Sequence, residues 1–188
     1  MSLILAYDCA VSGLGLALVR DGVALVAHRE EGREQAARLL PAIAELLGEA
    51  AVEKRALDLI AVTIGPGSFT GVRVGLAAAR GLALALDIPL AGIATTSALL
   101  AQANDGDLAV AAIDTRLGDW YCALRDTAPF LASAEVLAKR LGGRPCTIVG
   151  PEADLLASKL SGAAARVAPI DPVSVARLAD AEGRDRWR

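Results

Sequence analysis

The chain repeats one pattern, and that repeat limits the folds open to it. Leu3-Ile4-Leu5-Ala6-Tyr7-Asp8 is an apolar run ending in a carboxylate, and Leu108-Ala109-Val110-Ala111-Ala112-Ile113-Asp114 is another. Each reads as a buried strand with an aspartate at its C-terminal end. A turn through Ser12 and Gly13 leads from the first into residues 14–19, closed by Arg20-Asp21-Gly22. A turn through Gly118 leads from the second into residues 119–124, closed by Arg125-Asp126. Asp-Gly between apolar runs signals a tight hairpin, so residues 23–29 form the third strand of a meander.

Alternating helices and strands follow each meander. Residues 33–49 carry Ala36, Leu39, Leu40, Ile43, Leu46 and Leu47 on one helical face, opposite Arg38 and Glu45. Pro41 lies inside that run and removes a ladder hydrogen bond, so a kink or a helix start is expected there. A buried strand over 57–64, a helix over 71–86, a strand over 89–94 and a helix from Thr95-Thr96-Ser97 to residue 103 complete the first alternation. The second half is thinner: helix 134–141, strand 146–149, and helices 151–160 and 172–181, each with Pro in its first turn. The outline is α/β: a duplicated ribonuclease-H-like fold of the actin-like ATPase (ASKHA) superfamily, shared with sugar kinases, with the second half reduced. The expected division is residues 1–104 and 105–188.

Composition removes several function classes. The net charge of −3 lacks the basic excess of an autonomous nucleic-acid binder. The apolar stretch 74–103 is interrupted by Arg80, Asp87 and Pro89, so it reads as buried helix and strand and not as a membrane span. Asp8 breaks the first apolar run, which argues against a secretory signal. Cys9, Cys122 and Cys146 show no CxxC spacing, and their odd number suits a reduced, cytoplasmic compartment. One histidine, His28, cannot form a two-histidine metal site; an exposed or hydrogen-bonded strand residue is the plainer role.

Residues 63–75 read Thr-Ile-Gly-Pro-Gly-Ser-Phe-Thr-Gly-Val-Arg-Val-Gly, a glycine-rich turn between strand and helix. A P-loop needs its last glycine followed by Lys and Ser/Thr, and Gly71 is followed by Val72-Arg73. The dinucleotide fingerprint fails too, because Gly65-Pro66-Gly67 has no glycine three residues on. No G-x-S-x-G surrounds Ser68, and Cys9 has no identified base. In the following helix Gly71, Gly75, Ala78, Ala79 and Leu82 share one side. Two glycines inside a helix cost about 1 kcal/mol each relative to Ala, which implies a close neighbour. That neighbour is either the sheet beneath or a partner.

The run Gly65–Gly75, with Asp8 closing the first strand, resembles the TsaB (YeaZ) family. Arg38-Leu39-Leu40-Pro41, Gly81-Leu82-Ala83 before Pro89, and Ala112-Ile113-Asp114 agree with it. The likeness is strong over residues 3–125 and weak afterwards. Two departures stand out: Gln35 occupies a position where the family often has histidine, and the family's C-terminal tail is not found by Arg188.

The resemblance implies a non-catalytic scaffold subunit that binds and activates TsaD for threonylcarbamoyl transfer to the tRNA adenosine next to the anticodon. It implies TsaD and the ATPase TsaE as partners and tRNA reached through the complex; a homodimer of the chain alone is an expectation from exposed apolar faces. No firmly bound cofactor is implied, with ATP or ADP only at the complex interface. The implied partner interface takes Leu39, Leu40 and Ile43 from the first helix and Val72, Arg73, Gly75, Leu76, Ala79, Arg80 and Ala83 from the second. Asp8, Gly67, Ser68, Thr70 and Asp114 would be a vestigial nucleotide or anion site. Asp8 and Asp114 stand where actin-like ATPases orient magnesium, but neither is followed by a phosphate-binding glycine turn, and a strand-end carboxylate also caps turns. The rival readings are an actin-like-fold ATPase or kinase and a metal-dependent (M22-type) peptidase homologue.

Overall fold

The computed structural model describes residues 2–182 apart from 12, 33, 105 and 107. Ser12 and Arg33, assigned above to a turn and a helix start, lie outside the described residues, as does Arg188. Two compact units result: residues 1–94 together with 171–188, and residues 95–170.

In the first unit β1 (Leu3–Asp8), β2 (Leu14–Arg20) and β3 (Val23–Glu30) form the antiparallel meander. α1 (Gln35–Glu49) and a short 3-10 turn lead to β4 (Leu59–Thr63), parallel to β1. α2 (Phe69–Leu86) then returns the chain to β5 (Leu90–Ile93), parallel to β4. The sheet order is β3-β2-β1-β4-β5. Leu5, Tyr7, Leu16 and Leu18 pack with Leu39, Ile43, Leu46 and Leu47 of α1 on one face. α1 runs through Pro41 without ending there.

The second unit has α3 (Thr95–Leu100), then the meander β6 (Ala109–Asp114), β7 (Trp120–Leu124) and β8 (Phe130–Ala132). α4 (Ala134–Leu141), β9 (Cys146–Gly150), α5 (Ala153–Ala157) and β10 (Ala163–Val167) follow. β9 lies parallel to β6 and β10 parallel to β9. Read from its β8 edge, the order β8-β7-β6-β9-β10 is that of the first sheet, third-second-first-fourth-fifth, so the duplication holds strand for strand.

The expected division at 104/105 is corrected. α3 packs on β6 of the second sheet, and α6 (Pro172–Ala181) returns to cover β1 and β2. Val175, Ala176 and Ala179 of α6 are buried there, which explains why all six residues of β1 are buried: both faces of the strand are covered. Asp171 starts α6 by accepting from the amides of Val173 (3.0 Å) and Ser174 (3.2 Å), with Pro172 in the first turn. Sequence reasoning also missed β8, which has three residues, and β10, whose Ala-rich run carries no strand signal. It overran α3 and α5, which end at Leu100 and Ala157.

Candidate functional site

Both strand-end aspartates cap the turn that follows them. Asp8 Oδ1 accepts from the Ala10 amide at 2.9 Å, and Asp114 Oδ1 accepts from the Arg116 amide at 2.7 Å. The same atom bonds at the same offset in each half. Asp8 is fully buried, its Oδ1 also accepts from the Thr63 hydroxyl, and its Oδ2 has no partner among the described residues. Burial raises the Asp8 pKa; the Thr63 and Ala10 bonds and the charge of Arg29 oppose that shift. Asp114 lies in the other unit and is only half-buried.

The glycines of the signature make room for this turn. A Cβ on Gly67 would sit 2.2 Å from the Ala10 carbonyl oxygen, and one on Gly71 would sit 1.9 Å from that of Cys9. On Gly75 a Cβ would meet Val62 at 3.4 Å and Cys9 at 3.6 Å. The Ser68 amide donates to the Ala10 carbonyl at 2.6 Å, and the Tyr7 hydroxyl donates to the Gly75 carbonyl at 3.1 Å. Ser68 caps α2 by accepting from the Gly71 amide at 3.2 Å. The structure therefore joins Asp8, Gly67 and Ser68 through residues 9 and 10. The Ala10 carbonyl oxygen takes the Ser68 amide, which an anion at this helix start would otherwise use, while Thr70 stays exposed. The Cys9 thiol, buried against Gly75, is pushed up to about 12 by burial first and by Asp8 second, as suits a packing residue.

The same geometry corrects the interface expectation. Gly71, Gly75, Ala79 and Ala83 form the buried face of α2, so its close neighbour is the chain's own sheet. Leu39 and Ile43 are likewise buried in this unit's core. Gly75, Ala79, Ala83, Leu39 and Ile43 therefore cannot form a surface. Val72 and Leu76 are half-buried; Leu40, Arg73 and Arg80 are exposed. Sequence reasoning missed Phe69 and Leu84, exposed by 69% and 85%. With Arg73, Ala77 and Arg80 they make an exposed stripe at residues 69, 73, 77, 80 and 84, spacings that keep to one side of a helix. The Arg73 guanidinium lies over the Phe69 ring, 3.6 Å from its centre. Among the described residues α2 is the one helix long and apolar enough to cross a membrane by length and composition, and its small-residue face packs on β4.

Near the start of α1, a cavity of about 560 Å³ is lined by Gly13, Leu14, Glu30, Gln35 and Arg38, among others. Arg38 reaches Glu30 through two nitrogens (2.5 and 2.9 Å) and Glu45 at 2.9 Å, and its hydrogen bonds hold both carboxyls below their usual range. His28 pairs with Glu49 at 2.5 Å in an exposed position, the plain role expected of it. No group of three or more metal-ligating side chains occurs among the described residues.

Two sheets of identical order, each with an aspartate-capped turn after its first strand, define a duplicated ribonuclease-H-like protein of the actin-like class. A glucomannokinase from Arthrobacter sp. strain KM, described as using inorganic polyphosphate or ATP, shares this fold (TM-score 0.54, 11% identity, 97% of this chain and all of that one). At the level of sequence, the family model described as TsaD, tRNA N6-adenosine threonylcarbamoyltransferase, matches residues 26–134. The tRNA threonylcarbamoyladenosine biosynthesis protein TsaB of Escherichia coli (strain K12) is 36% identical over 123 residues, 64% of this chain and 53% of that protein. A solved structure of YeaZ from Pseudomonas aeruginosa superposes with a TM-score of 0.82 at 28% identity, covering 99% of this chain and 94% of the other. The chain belongs to the TsaB (YeaZ) family of tRNA threonylcarbamoyladenosine biosynthesis proteins. Its match spans about half the length of the E. coli relative.

Proposed function

We propose that the chain is a non-catalytic subunit that docks on TsaD and activates threonylcarbamoyl transfer to the tRNA adenosine next to the anticodon. The observation that carries this reading is the outer stripe of α2. Phe69 and Leu84 stand about 22 Å apart at 1.5 Å per residue, with Arg73 and Arg80 between them. Leu40, 56% exposed, stands on α1, which packs beside α2. Large apolar side chains exposed along one helix, with cations between them, suit a helix-in-groove partner whose carboxylates meet the arginines.

The interface we propose is Leu40, Phe69, Val72, Arg73, Leu76, Arg80 and Leu84. TsaE joins the assembly, the assembly brings the chain to tRNA, and the chain alone pairs with a second copy. The setting is the cytoplasm, and any ATP or ADP sits only at the complex interface. The buried Asp8, engaged by Thr63 and Ala10 and pressed toward its neutral form, supports a structural role for the old magnesium position over phosphotransfer.

Reconstitution tests this directly. TsaD, TsaE, the threonylcarbamoyl-AMP donor and unmodified tRNA are assayed with and without the chain. The expected result is modification that depends on the chain and survives Asp8→Asn; modification at full rate without it would refute the activating role.

A further inference from the structure

We infer that the second unit carries a docking surface for the phosphate backbone of an RNA, formed by two neighbouring loops at the starts of β9 and β10. Residues 139–145 read Lys-Arg-Leu-Gly-Gly-Arg-Pro, and residues 158–162 read Ser-Lys-Leu-Ser-Gly. Neither contains a carboxylate. They lie side by side, because Cys146 and Ala163 are paired strand starts and a Cβ on Gly162 would meet the Pro145 Cα at 4.0 Å. Lys139, Arg140, Arg144 and Lys159 are all exposed, and among the described residues none of them is in an ion pair. In a chain of net charge −3 this is a local reversal of sign.

Part of the cluster serves the fold. Lys139 and Arg140 occupy the last turn of α4, where cations offset the helix dipole, and Arg144 Nε donates to the Leu141 carbonyl at 2.9 Å. The Arg140 guanidinium lies over the Phe130 ring, 3.9 Å from its centre, which fixes its plane. These contacts neutralise none of the four charges; they orient them. Leu141 and Leu160 are buried, so the loops themselves present cations and backbone; the exposed apolar side chains nearest in sequence, Val136 and Leu155, are single aliphatics one turn back on α4 and α5. That composition favours a phosphate backbone over a membrane, which would draw apolar side chains into its interface.

The inference rests on the family's place in tRNA modification, and its test is separable from that of TsaD docking. Fluorescence anisotropy with an unmodified tRNA transcript, across a salt series, is measured for the full chain and for Arg144→Gln/Lys159→Gln. Each phosphate contact contributes about 0.7–0.9 to the slope of log affinity against log salt, so the double variant is expected to flatten that slope by about 1.4–1.8. It should also bind several-fold more weakly at low salt. The control Arg20→Gln/Arg55→Gln makes the same charge change on the first unit and should leave the slope as in wild type.

A folded double variant with unchanged slope and affinity overturns the proposal. So does a wild-type chain that ignores tRNA, whether it binds phosphatidylserine vesicles, an acidic peptide or neither. TsaD co-purification is run on the same proteins. Retained TsaD binding with a lost tRNA slope supports the surface, whereas lost TsaD binding with an intact slope counts against the docking reading alone.

Discussion

Replacing Gly71 by alanine isolates what the glycine signature does. Helix propensity alone predicts a gain of about 1 kcal/mol, because alanine is the better helix former. The structure predicts the opposite sign. The new methyl would stand 1.9 Å from the Cys9 carbonyl oxygen, far inside the 3.0 Å that real Cβ contacts respect, so α2 or the turn at residues 8–10 must move by more than an ångström. Both sides of the clash are backbone, and no rotamer change relieves it. Overpacking of this kind costs about 1–3 kcal/mol. Lifting α2 also strains the Ser68–Ala10 and Tyr7–Gly75 hydrogen bonds, each worth about 1 kcal/mol. After the propensity gain the net loss is about 2–4 kcal/mol, a fall in Tm of roughly 4–16 °C for a chain of this size. Gly81→Ala is the internal control: it lies in the same helix, a Cβ there meets nothing within 4 Å, and the gain of about 1 kcal/mol should appear. Thermal unfolding followed by circular dichroism reads both. A Gly71→Ala protein as stable as wild type would refute the close-approach account.

Asp8→Asn should grow more stable relative to wild type as pH rises. The folded Asp8 pKa is raised above 3.8, so the folded state holds a proton that the unfolded chain has released, and wild-type stability drains away as pH climbs from 3.8 through the folded value. Urea denaturation at pH 4 and pH 7 checks the sign; a difference between the two proteins that is flat or reversed with pH contradicts it. Asp171→Ala removes the cap of α6 and should cost about 1 kcal/mol, read as a lower urea midpoint, since that helix covers β1 and β2. Arg38→Ala should leave the urea midpoint close to that of wild type despite the ion pairs to Glu30 and Glu45, because the site is open to solvent; a large fall of the midpoint in the same assay would show that the Glu30–Arg38–Glu45 group holds the fold.

Periodicity and strand-end residues made the architecture readable. The two apolar runs ending in Asp8 and Asp114, each followed by a hairpin, were enough for the duplicated sheet. The helical phase of Leu39, Ile43 and Leu46 found α1. What periodicity cannot supply is the identity of the neighbour. Gly71, Gly75 and Ala79 share a face in sequence, yet only the 1.9 Å approach to Cys9 tells that the face meets the chain's own turn. The partner reading consequently took in the buried Gly75, Ala79 and Ala83 along with the exposed Arg73 and Arg80, while Phe69 and Leu84 went unnoticed on the outer side of α2. A wheel drawn outward from the glycines would have found both. The return of α6 to the first unit left no local mark, since long-range packing of Val175 and Ala179 decides it. β10 was invisible for another reason: five residues of mostly alanine become a strand only by pairing with β9.

The central claim is that the outer stripe of α2 is a docking surface and its inner face a structural one. Calorimetric titration of TsaD into the wild-type chain and into Leu84→Glu tests it most directly. Leu84 is 85% exposed, so the variant should unfold at the wild-type temperature. Our account predicts a saturable heat for wild type and at least a tenfold weaker association for Leu84→Glu, about 1.4 kcal/mol. Equal affinities for two equally folded proteins would contradict it.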